Sequence, residues 1–311
     1  MPKRRIFVSA PGESQLNGSE LNLYRAILPL VQRDEFGEDK FELQRFMISG
    51  LPAAKGWSFE EVEKVMRRCV GAVILAIPRW IGTAPWSPTD PAVPISGEFY
   101  NYEGAVALTL GLPTLILTTH GISDRGIVHK GGGKVICHIP RNSSIDWLSQ
   151  DFFRTQFREW RNEVTRRSDI FLAYSSGART TANAINLYLT GLGVRVLDWA
   201  AFMAAGTILD EIEQASARCT AGIFIFTEDD TLSPGRHFTG SGDTQAAPRD
   251  NVVFEAGFFA NAKGRERTLI IREKQTKMPA DVGGSIYLPL PDRHDISSIH
   301  DALRRFIDDR L

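Results

Sequence analysis

Two glutamates stand in similar surroundings in the two halves of the sequence, and both carboxylates could do chemistry. Glu103 lies in YEGA at 102–105 and Glu255 in FEAG at 254–257, each after an apolar run and an irregular loop. The small neighbours allow tight helix–sheet packing and close approach of a ligand. Such a carboxylate can bind ribose hydroxyls or stabilise an oxocarbenium-like sugar as a glycosidic bond breaks. It can also serve only as a partner for a helix dipole.

Short apolar runs alternate with amphipathic stretches, which is typical of α/β units around a mainly parallel sheet. The runs are continuous in Val, Ile, Leu and Phe, as expected of strands buried on both faces. Helices are predicted from Ser58 and Thr207: Ser58 with Glu61 has the form of a capping box, and Thr207 with Asp210 is a looser version. The predicted strands are 5–10, 71–77, 114–118, 169–173, 194–197, 222–227 and 268–272.

The two halves follow one plan, so the fold class predicted is α/β, with two tandem flavodoxin-like or Rossmann-like doubly wound domains. Two such domains would look alike without kinship, but the architecture does not require a shared glutamate. The boundary is predicted near 160–168, giving domains 1–160 and 168–311, because 151–167 reads as an amphipathic helix. The matching landmarks are IFVSA at 6–10 with IFLAY at 170–174, RCVGAVIL at 68–75 with RCTAGIFI at 218–225, and Glu103 with Glu255.

Composition narrows the class of protein. The 311 residues are 43% hydrophobic and 23% charged, and 36 Lys and Arg balance 37 Asp and Glu for a net charge of -1. This balance gives no overall attraction to nucleic acid or membranes, and direct DNA binding is not expected. Three cysteines lack the spacing of a zinc site, and free thiols suit a reducing compartment. With no signal-peptide pattern and no long apolar run, we expect a cytoplasmic protein without bound metal.

The second half resembles a known family. Residues 249–259 (RDNVVFEAGFF) look like the signature of the TIR-like domains in bacterial anti-phage effectors, such as bacterial STING fusions and Pycsar effectors. The resemblance covers essentially all of 168–311. Its other motifs are AGTI at 205–208, FTEDD at 226–230, GRERTLII at 264–271 and MPADVGGSIYL at 278–288.

The resemblance implies an NAD+ glycohydrolase that cleaves between nicotinamide and ribose, with NAD+ as substrate and no cofactor. Glu255 falls at the family's catalytic glutamate. Each other position also has a structural interpretation: Tyr174 could cap a strand, Phe202 could be core, and Arg249 could pair with an acid. The substrate-binding positions implied are Tyr174 and Ser175 after the first strand, Phe202 and Gly206 near the family's mobile loop, and Arg249 and Asn251 before the glutamate.

A Gly-, Ser- and Thr-rich loop at 233–247 departs from the pattern. Its composition indicates a mobile segment, whose closure, or the docking of a neighbouring subunit, could complete the site. His237 within this loop could act as an acid–base group, although a single loop histidine is more often only solvated.

The motifs of the first half indicate a family less specifically than those of the second half. Its Glu103 segment resembles the helix of nucleoside 2-deoxyribosyltransferase-like proteins, whose matching glutamate is a nucleophile, and it also matches the TIR-like pattern of the second half. Trp80 and Trp86 flank a Pro-rich loop and could stack on a base, form a self-association surface or pack in a buried cluster. KGGGK at 130–134 could bind a phosphate or form a glycine-rich hairpin turn.

Effectors of the resembling family pair a TIR domain with a sensor for a cyclic nucleotide or oligonucleotide. We therefore expect residues 1–160 to sense such a signal and residues 168–311 to destroy NAD+, with a homo-oligomer or filament completing the sites. A ligand site on the first domain would use Glu103, Trp80 and Trp86. One alternative is a nucleoside or nucleotide glycosidase or transferase that uses Glu103. The other is a non-enzymatic scaffold built from both halves.

Overall fold

The computed structural model divides the chain into two compact units, Lys3–Arg166 and Arg167–Leu311. The first unit thus extends through the amphipathic helix expected at the boundary. That helix buries Phe153, Trp160 and Val164, so it belongs to the core of the first unit. The residues described are 3–34, 36–46, 57–83, 91–132, 135–141, 143–199, 207–233, 244–274, 276–278 and 286–311.

The first unit is built on a five-stranded parallel sheet. Its central strand is buried along its whole length, as the apolar run CVGAVILA requires. The strands are β1 (Arg4–Ser9), β2 (Phe41–Gln44), β3 (Cys69–Ala76), β6 (Thr114–Thr119) and β7 (Ile136–Ile139), and a hairpin of β4 (Pro78–Gly82) and β5 (Val93–Ser96) follows β3. The helices are α1 (Gly18–Gln32), α2 (Phe59–Met66), α3 (Glu98–Thr109) and α4 (Asp151–Arg166).

Helices cover both faces of this sheet. One apolar cluster joins Tyr24 of α1 and Trp160 of α4 to one face of the strands. The other joins Met66 of α2 and Ala107 of α3 to the opposite face. Because α3 carries Glu103, this glutamate lies on the α2 and α3 face.

The second unit repeats the arrangement. Its strands are β8 (Ser168–Tyr174), β9 (Val196–Asp198), β10 (Cys219–Phe226), β13 (Thr268–Glu273) and β14 (Ile286–Leu290), with a hairpin of β11 (Asp230–Leu232) and β12 (Gln245–Ala247) after β10. The helices are α5 (Arg179–Gly191), α6 (Ile208–Arg218), α7 (Asp250–Lys263) and α8 (His300–Arg310). Apolar clusters place α5 and α8 on one face and α6 and α7 on the other.

The strand orders confirm the predicted fold class. They are β2-β1-β3-β6-β7 and β9-β8-β10-β13-β14, all neighbours being parallel. Both are the doubly wound 2-1-3-4-5 order, in which ligands bind beyond the carboxyl ends of the strands where the order reverses. A two-stranded hairpin between the third strand and the glutamate helix also occurs in both units, which extends the repeat beyond the sequence landmarks.

Several local predictions were wrong. The strand expected at 194–197 is Val196–Asp198, and the strands β2, β7 and β14 and both hairpins were not predicted. The two capping motifs are also reversed. Thr207 and Asp210 form the reciprocal capping box, whereas Ser58 accepts only from the Glu61 amide.

The three cysteines are buried and unbridged. Burial raises the pKa of Cys137 to about 11 and that of Cys219 to about 12, so neither thiol is a nucleophile near neutral pH. None of the helices described has the length and apolar character that a membrane span needs.

Candidate active site

Glu255 is the sixth residue of α7 and points into the second unit. Its side chain is 2% exposed, while the preceding Phe254 is 49% exposed. Val252 and Ala256, which lie one turn apart on the same helix, pack in the apolar cluster beneath α7. The small Ala256 lets the helix lie close to the sheet, and the carboxyl group is thereby held in an apolar environment.

The carboxyl group of Glu255 is buried, one of its oxygens has no hydrogen-bond partner in the part of the chain that the structure describes, and its pKa is raised. Burial raises its pKa to about 7, because the charged form loses its hydration. Its Oε2 has no hydrogen-bond partner among the described residues. A buried polar atom without a partner costs free energy, and a ligand hydroxyl or a positive charge would recover it.

Ser175 takes part in a network where the strand order reverses. Its Oγ donates to Asp229 Oδ1 at 2.9 Å and lies 3.2 Å from Thr227 Oγ1, which donates to Asp229 Oδ2 at 2.8 Å. These contacts join the loop after β8 to the loop after β10. A Cβ at Gly177 would lie 2.8 Å from Asp229 Oδ1, so a larger residue there would disturb the network.

Tyr174 is the last residue of β8, and its hydroxyl group is hydrogen-bonded. It donates to Asp198 Oδ1, at the end of β9, at 2.8 Å. Burial and this carboxylate raise the pKa of Tyr174 to about 12. The phenol is therefore neutral at physiological pH and positions the β9 end beside the first loop.

The residues before Glu255 are near the surface. Arg249 precedes α7 and pairs with Asp230 at 3.2 Å, which is the acid pairing weighed from the sequence. Asn251 is exposed in the first turn. The structure thus ties Ser175 and Arg249 to the adjacent acids Asp229 and Asp230.

An ion pair that the sequence did not suggest lies next to this loop. Glu273 ends β13, is 1% exposed, and accepts hydrogen bonds from Arg293 and from the Glu228 amide. Burial alone would raise the pKa of Glu273, but these hydrogen bonds and the nearby positive charges outweigh it and lower the pKa. A glutamate at the end of the apolar strand TLIIRE was the available signal.

Four singled-out residues lie outside the described residues: Phe202, Gly206, His237 and Trp86. The loop expected at 233–247 is described only at its ends, where Gln245–Ala247 form β12 against β11. Of KGGGK at 130–134, the structure describes Lys130–Gly132, which form a 3-10 turn in the connection between the parallel strands β6 and β7, so the segment does not lie in a hairpin of these two strands. The amide of its Lys130 already donates to Asp124 at 2.8 Å.

Glu103 occupies the matching place in the first unit. It is the sixth residue of α3 and is 7% exposed. Burial raises the pKa of Glu103, and the hydrogen bond from Trp57 opposes this rise. The indole Nε1 of Trp57 donates to Glu103 Oε1 at 3.2 Å. Trp80, predicted at this site, lies on β4 with 53% of its side chain exposed and therefore not in a buried cluster.

Trp57 belongs to an aromatic cluster that the sequence did not suggest. Its ring centroid lies 4.8 Å from that of Phe59, 5.2 Å from Phe99 and 5.5 Å from Tyr102. The cluster arises because Phe59 begins α2 while Phe99 and Tyr102 lie one turn apart on α3. Phe99 and Tyr102 lie more than 40 residues from Trp57 in the sequence, so no local pattern shows the cluster.

A known protein family matches most of the second unit. Residues 169–292 match the family model described as CAP12/Pycsar effector protein, TIR domain. Residues 169–292 form a TIR domain of this type. The resemblance seen in the sequence is confirmed, and Glu255 lies within the matched range.

Two curated relatives match parts of the chain. CD-NTase-associated protein 12 of Sphingobacterium faecium is 36% identical over 116 residues, which are 37% of this chain and 34% of the relative. The Pycsar effector protein BcPycTIR of Burkholderia cepacia is 29% identical over 140 residues, 44% of this chain and 43% of the relative. The matches thus span less than half of each relative. A solved response regulator/GGDEF domain protein aligns over 99% of both chains at 14% identity with a TM-score of 0.27, too low to relate the folds.

Proposed function

We propose that the TIR domain hydrolyses NAD+ between nicotinamide and ribose, within an anti-phage defence effector. The observation that carries this proposal is the buried Glu255, whose Oε2 no described group binds. The match to the CAP12/Pycsar TIR family and the relatives named Pycsar effector proteins support the effector role.

The chemistry needs only one carboxylate. The bond between ribose C1′ and the nicotinamide nitrogen breaks, and its electron pair neutralises the pyridinium ring, so the leaving group needs no proton. Ionised Glu255 stabilises the positive charge that develops on the sugar. A water oxygen then bonds to C1′ and releases its proton to the carboxylate or solvent, which yields ADP-ribose. Attack by the substrate's own adenine ring instead of water would give a cyclic product.

The substrate would also adjust the carboxyl group. The pKa of Glu255 is about 7 without a ligand because of burial. The positive pyridinium of NAD+ favours the ionised form. Binding of NAD+ would therefore lower this pKa and supply the charge that the reaction needs.

Activation is the second part of the proposal. A cyclic nucleotide or oligonucleotide binds the first unit and favours a homo-oligomer or filament in which neighbouring TIR domains complete each other's sites. The Gly-, Ser- and Thr-rich loop at 233–247 is the segment through which a neighbour would act.

The test is NAD+ consumption by the purified full chain across a panel of cyclic nucleotides and oligonucleotides, with Glu255→Gln and Glu103→Gln as a matched pair. We expect nicotinamide release with one ligand, a loss of at least about a hundredfold in Glu255→Gln, and retained activity in Glu103→Gln. Nicotinamide release that survives Glu255→Gln would contradict the proposal.

Chemistry at Glu103 is the second candidate, because its helix position and burial match those of Glu255. The match to the CAP12/Pycsar TIR family favours the first candidate, since it covers residues 169–292 and does not include Glu103. Turnover of a nucleoside lost in Glu103→Gln and kept in Glu255→Gln would reverse this order. No turnover by assembled protein with any ligand would instead support the scaffold.

A further inference from the structure

The first unit contains a cavity of about 320 Å³ that the sequence analysis did not predict. It opens beyond the carboxyl ends of β3, β6 and β7, the edge at which doubly wound sheets bind ligands. Its volume is at the lower end of the range for small-molecule sites. It therefore has room for about one nucleotide.

The cavity is not the Glu103 crevice. Its apolar walls include Leu23, Leu75 and Ile77, which belong to the cluster on the α1 and α4 face. Glu103 lies on α3, whose cluster covers the opposite face of the sheet. The two sites are thus separated by the sheet itself.

The walls suit a planar ring. Leu75 and Ile77 are 3% and 5% exposed, and Pro78 and Pro94 add rigid apolar surface from the two strands of the hairpin. Tyr24 also lines the cavity, and its buried hydroxyl has no hydrogen-bond partner among the described residues. An unsatisfied buried hydroxyl is costly, and a polar group on a ligand ring is one way to satisfy it.

An arginine and a histidine lie at one side of the cavity. His120 follows β6 and Arg141 follows β7, and both line it. Arg141 is exposed, and its guanidinium lies close to Gly121, where a Cβ would come within 3.1 Å of Nη2. No ion pair to a described residue engages this guanidinium, so it is available for a planar anion such as a phosphate.

The other side of the cavity is formed by the start of α1. Asn17, Ser19 and Glu20 line it, and Asn17 and Glu20 form a reciprocal capping box. The Glu20 carboxylate repels a phosphate and accepts from hydroxyl groups, so it favours a sugar on its own side and the phosphate at Arg141. The residues that line this small cavity could thus contact the ring, the hydroxyl groups and the anionic group of one ligand.

We propose that this cavity is the activator site of the first unit and that it binds a mononucleotide, with the phosphate at Arg141 and His120 and the base against Leu75 and Ile77. The proposal deepens the proposed function, since it takes the first unit as the nucleotide sensor. It replaces the site expected at Glu103, Trp80 and Trp86.

Calorimetric titration of the full chain tests the site directly. The probes are the four 5′-mononucleotides, their 3′,5′-cyclic forms, the parent nucleosides and inorganic phosphate. We expect at least one nucleotide to bind with a micromolar Kd, and its nucleoside and phosphate alone to bind at least about tenfold more weakly.

Two exposed arginines make a matched pair for the same titration. Arg141→Gln should weaken nucleotide binding by about tenfold or more and leave nucleoside binding unchanged, because it removes only the phosphate contact. Arg158→Gln, an exposed position on α4, should bind like the unchanged protein. Thermal unfolding of both variants checks that the fold is kept.

Two outcomes would overturn the site. One is no nucleotide binding up to millimolar concentration, and the other is binding that Arg141→Gln leaves intact, which would place the ligand elsewhere, such as Glu103 or the TIR domain. NAD+ cleavage is a separate measurement on the same protein. Binding that depends on Arg141, without NAD+ cleavage, would contradict only the proposed enzyme activity. Nucleotide-activated cleavage that is unchanged in Arg141→Gln would contradict only the proposed cavity site.

Discussion

Glu103 and Glu255 occupy the same place in two copies of one fold, each as the sixth residue of the helix that follows a hairpin and the third strand. They differ in what meets the carboxyl group. Glu103 Oε1 accepts a hydrogen bond from the Trp57 indole, whereas Glu255 Oε2 has no partner among the described residues. The repeat therefore supplies two buried acids whose carboxyl groups have different hydrogen-bond partners.

Activity should rise with pH through about 7. The pKa of Glu255 is raised to about 7 by burial, and only its ionised form stabilises a positive sugar. We expect kcat/KM for NAD+ to increase roughly tenfold per pH unit below pH 7 and to level off above it. The kcat profile should lie at lower pH, because bound NAD+ favours the carboxylate. Initial rates between pH 5 and 9 with saturating activator would show this, and a flat kcat/KM profile would argue against Glu255.

Glu255→Gln should stabilise the protein at alkaline pH. A carboxyl whose folded pKa lies above its unfolded value of 4.5 binds a proton on folding, so its ionisation above pH 7 destabilises the native state. The difference between 4.5 and about 7 corresponds to roughly 3 kcal/mol as an upper limit. Urea unfolding at pH 8.5 should show a gain of this order or less, and at pH 4.5 almost none.

Glu103→Gln provides the comparison in the same unfolding experiment. Burial also raises the pKa of Glu103, but the hydrogen bond from Trp57 favours its charged form. Its gain at alkaline pH should be smaller than that of Glu255→Gln. An equal or larger gain would show that Trp57 does not hold the carboxyl group in solution.

The fold could be read from the sequence wherever the signal was local. Continuous apolar runs such as CVGAVILA at 69–76 predicted the central strands because these strands are buried on both faces. Short edge strands could not be predicted: β2 (FELQ) and β7 (ICHI) have only four residues each, too few for a periodic pattern. The two hairpins could not be predicted because Pro and Gly near their turns are also typical of irregular loops.

The site could be predicted only in part for the same reason. Glu255 stood out because small neighbours and a family motif surround it in the chain. The contacts of Trp57 with Glu103 and of Arg293 with Glu273 span 46 and 20 residues, and no local pattern encodes them. The cavity needs three strand ends and a helix start to meet, which depends on strand order rather than on any single segment.

Asp229→Ala should weaken both the TIR domain and its use of NAD+. The substitution leaves the hydroxyls of Ser175 and Thr227 without their carboxylate acceptor, and Thr227 is fully buried. We expect a loss of about 1–3 kcal/mol in unfolding free energy and a raised KM with a smaller change in kcat. Thr231→Ala, exposed on the neighbouring β11, is the control and should change neither. An unchanged KM in Asp229→Ala would remove Ser175 from the substrate site.

Arg293→Ala and Arg249→Ala should differ sharply although each removes an arginine from an ion pair of the TIR domain. Arg293 neutralises Glu273, whose side chain is 2% exposed. Removing the guanidinium leaves a buried carboxylate without its counter-charge, which should lower the free energy of unfolding by about 3–5 kcal/mol. Arg249 and Asp230 are 58% and 40% exposed, and their pair contributes about 0–1 kcal/mol.

The acid side of the stability profile distinguishes this ion pair from general packing. Because the folded pKa of Glu273 is lowered, its contribution is present above its unfolded value of 4.5 and is lost as pH falls through the folded pKa. The deficit of Arg293→Ala should therefore be largest near pH 7 and shrink below pH 4.5, whereas a packing defect would persist at every pH. Urea unfolding of both variants at pH 7 and pH 4 measures the difference, and a pH-independent deficit in Arg293→Ala would show that the guanidinium acts by filling space rather than by its charge.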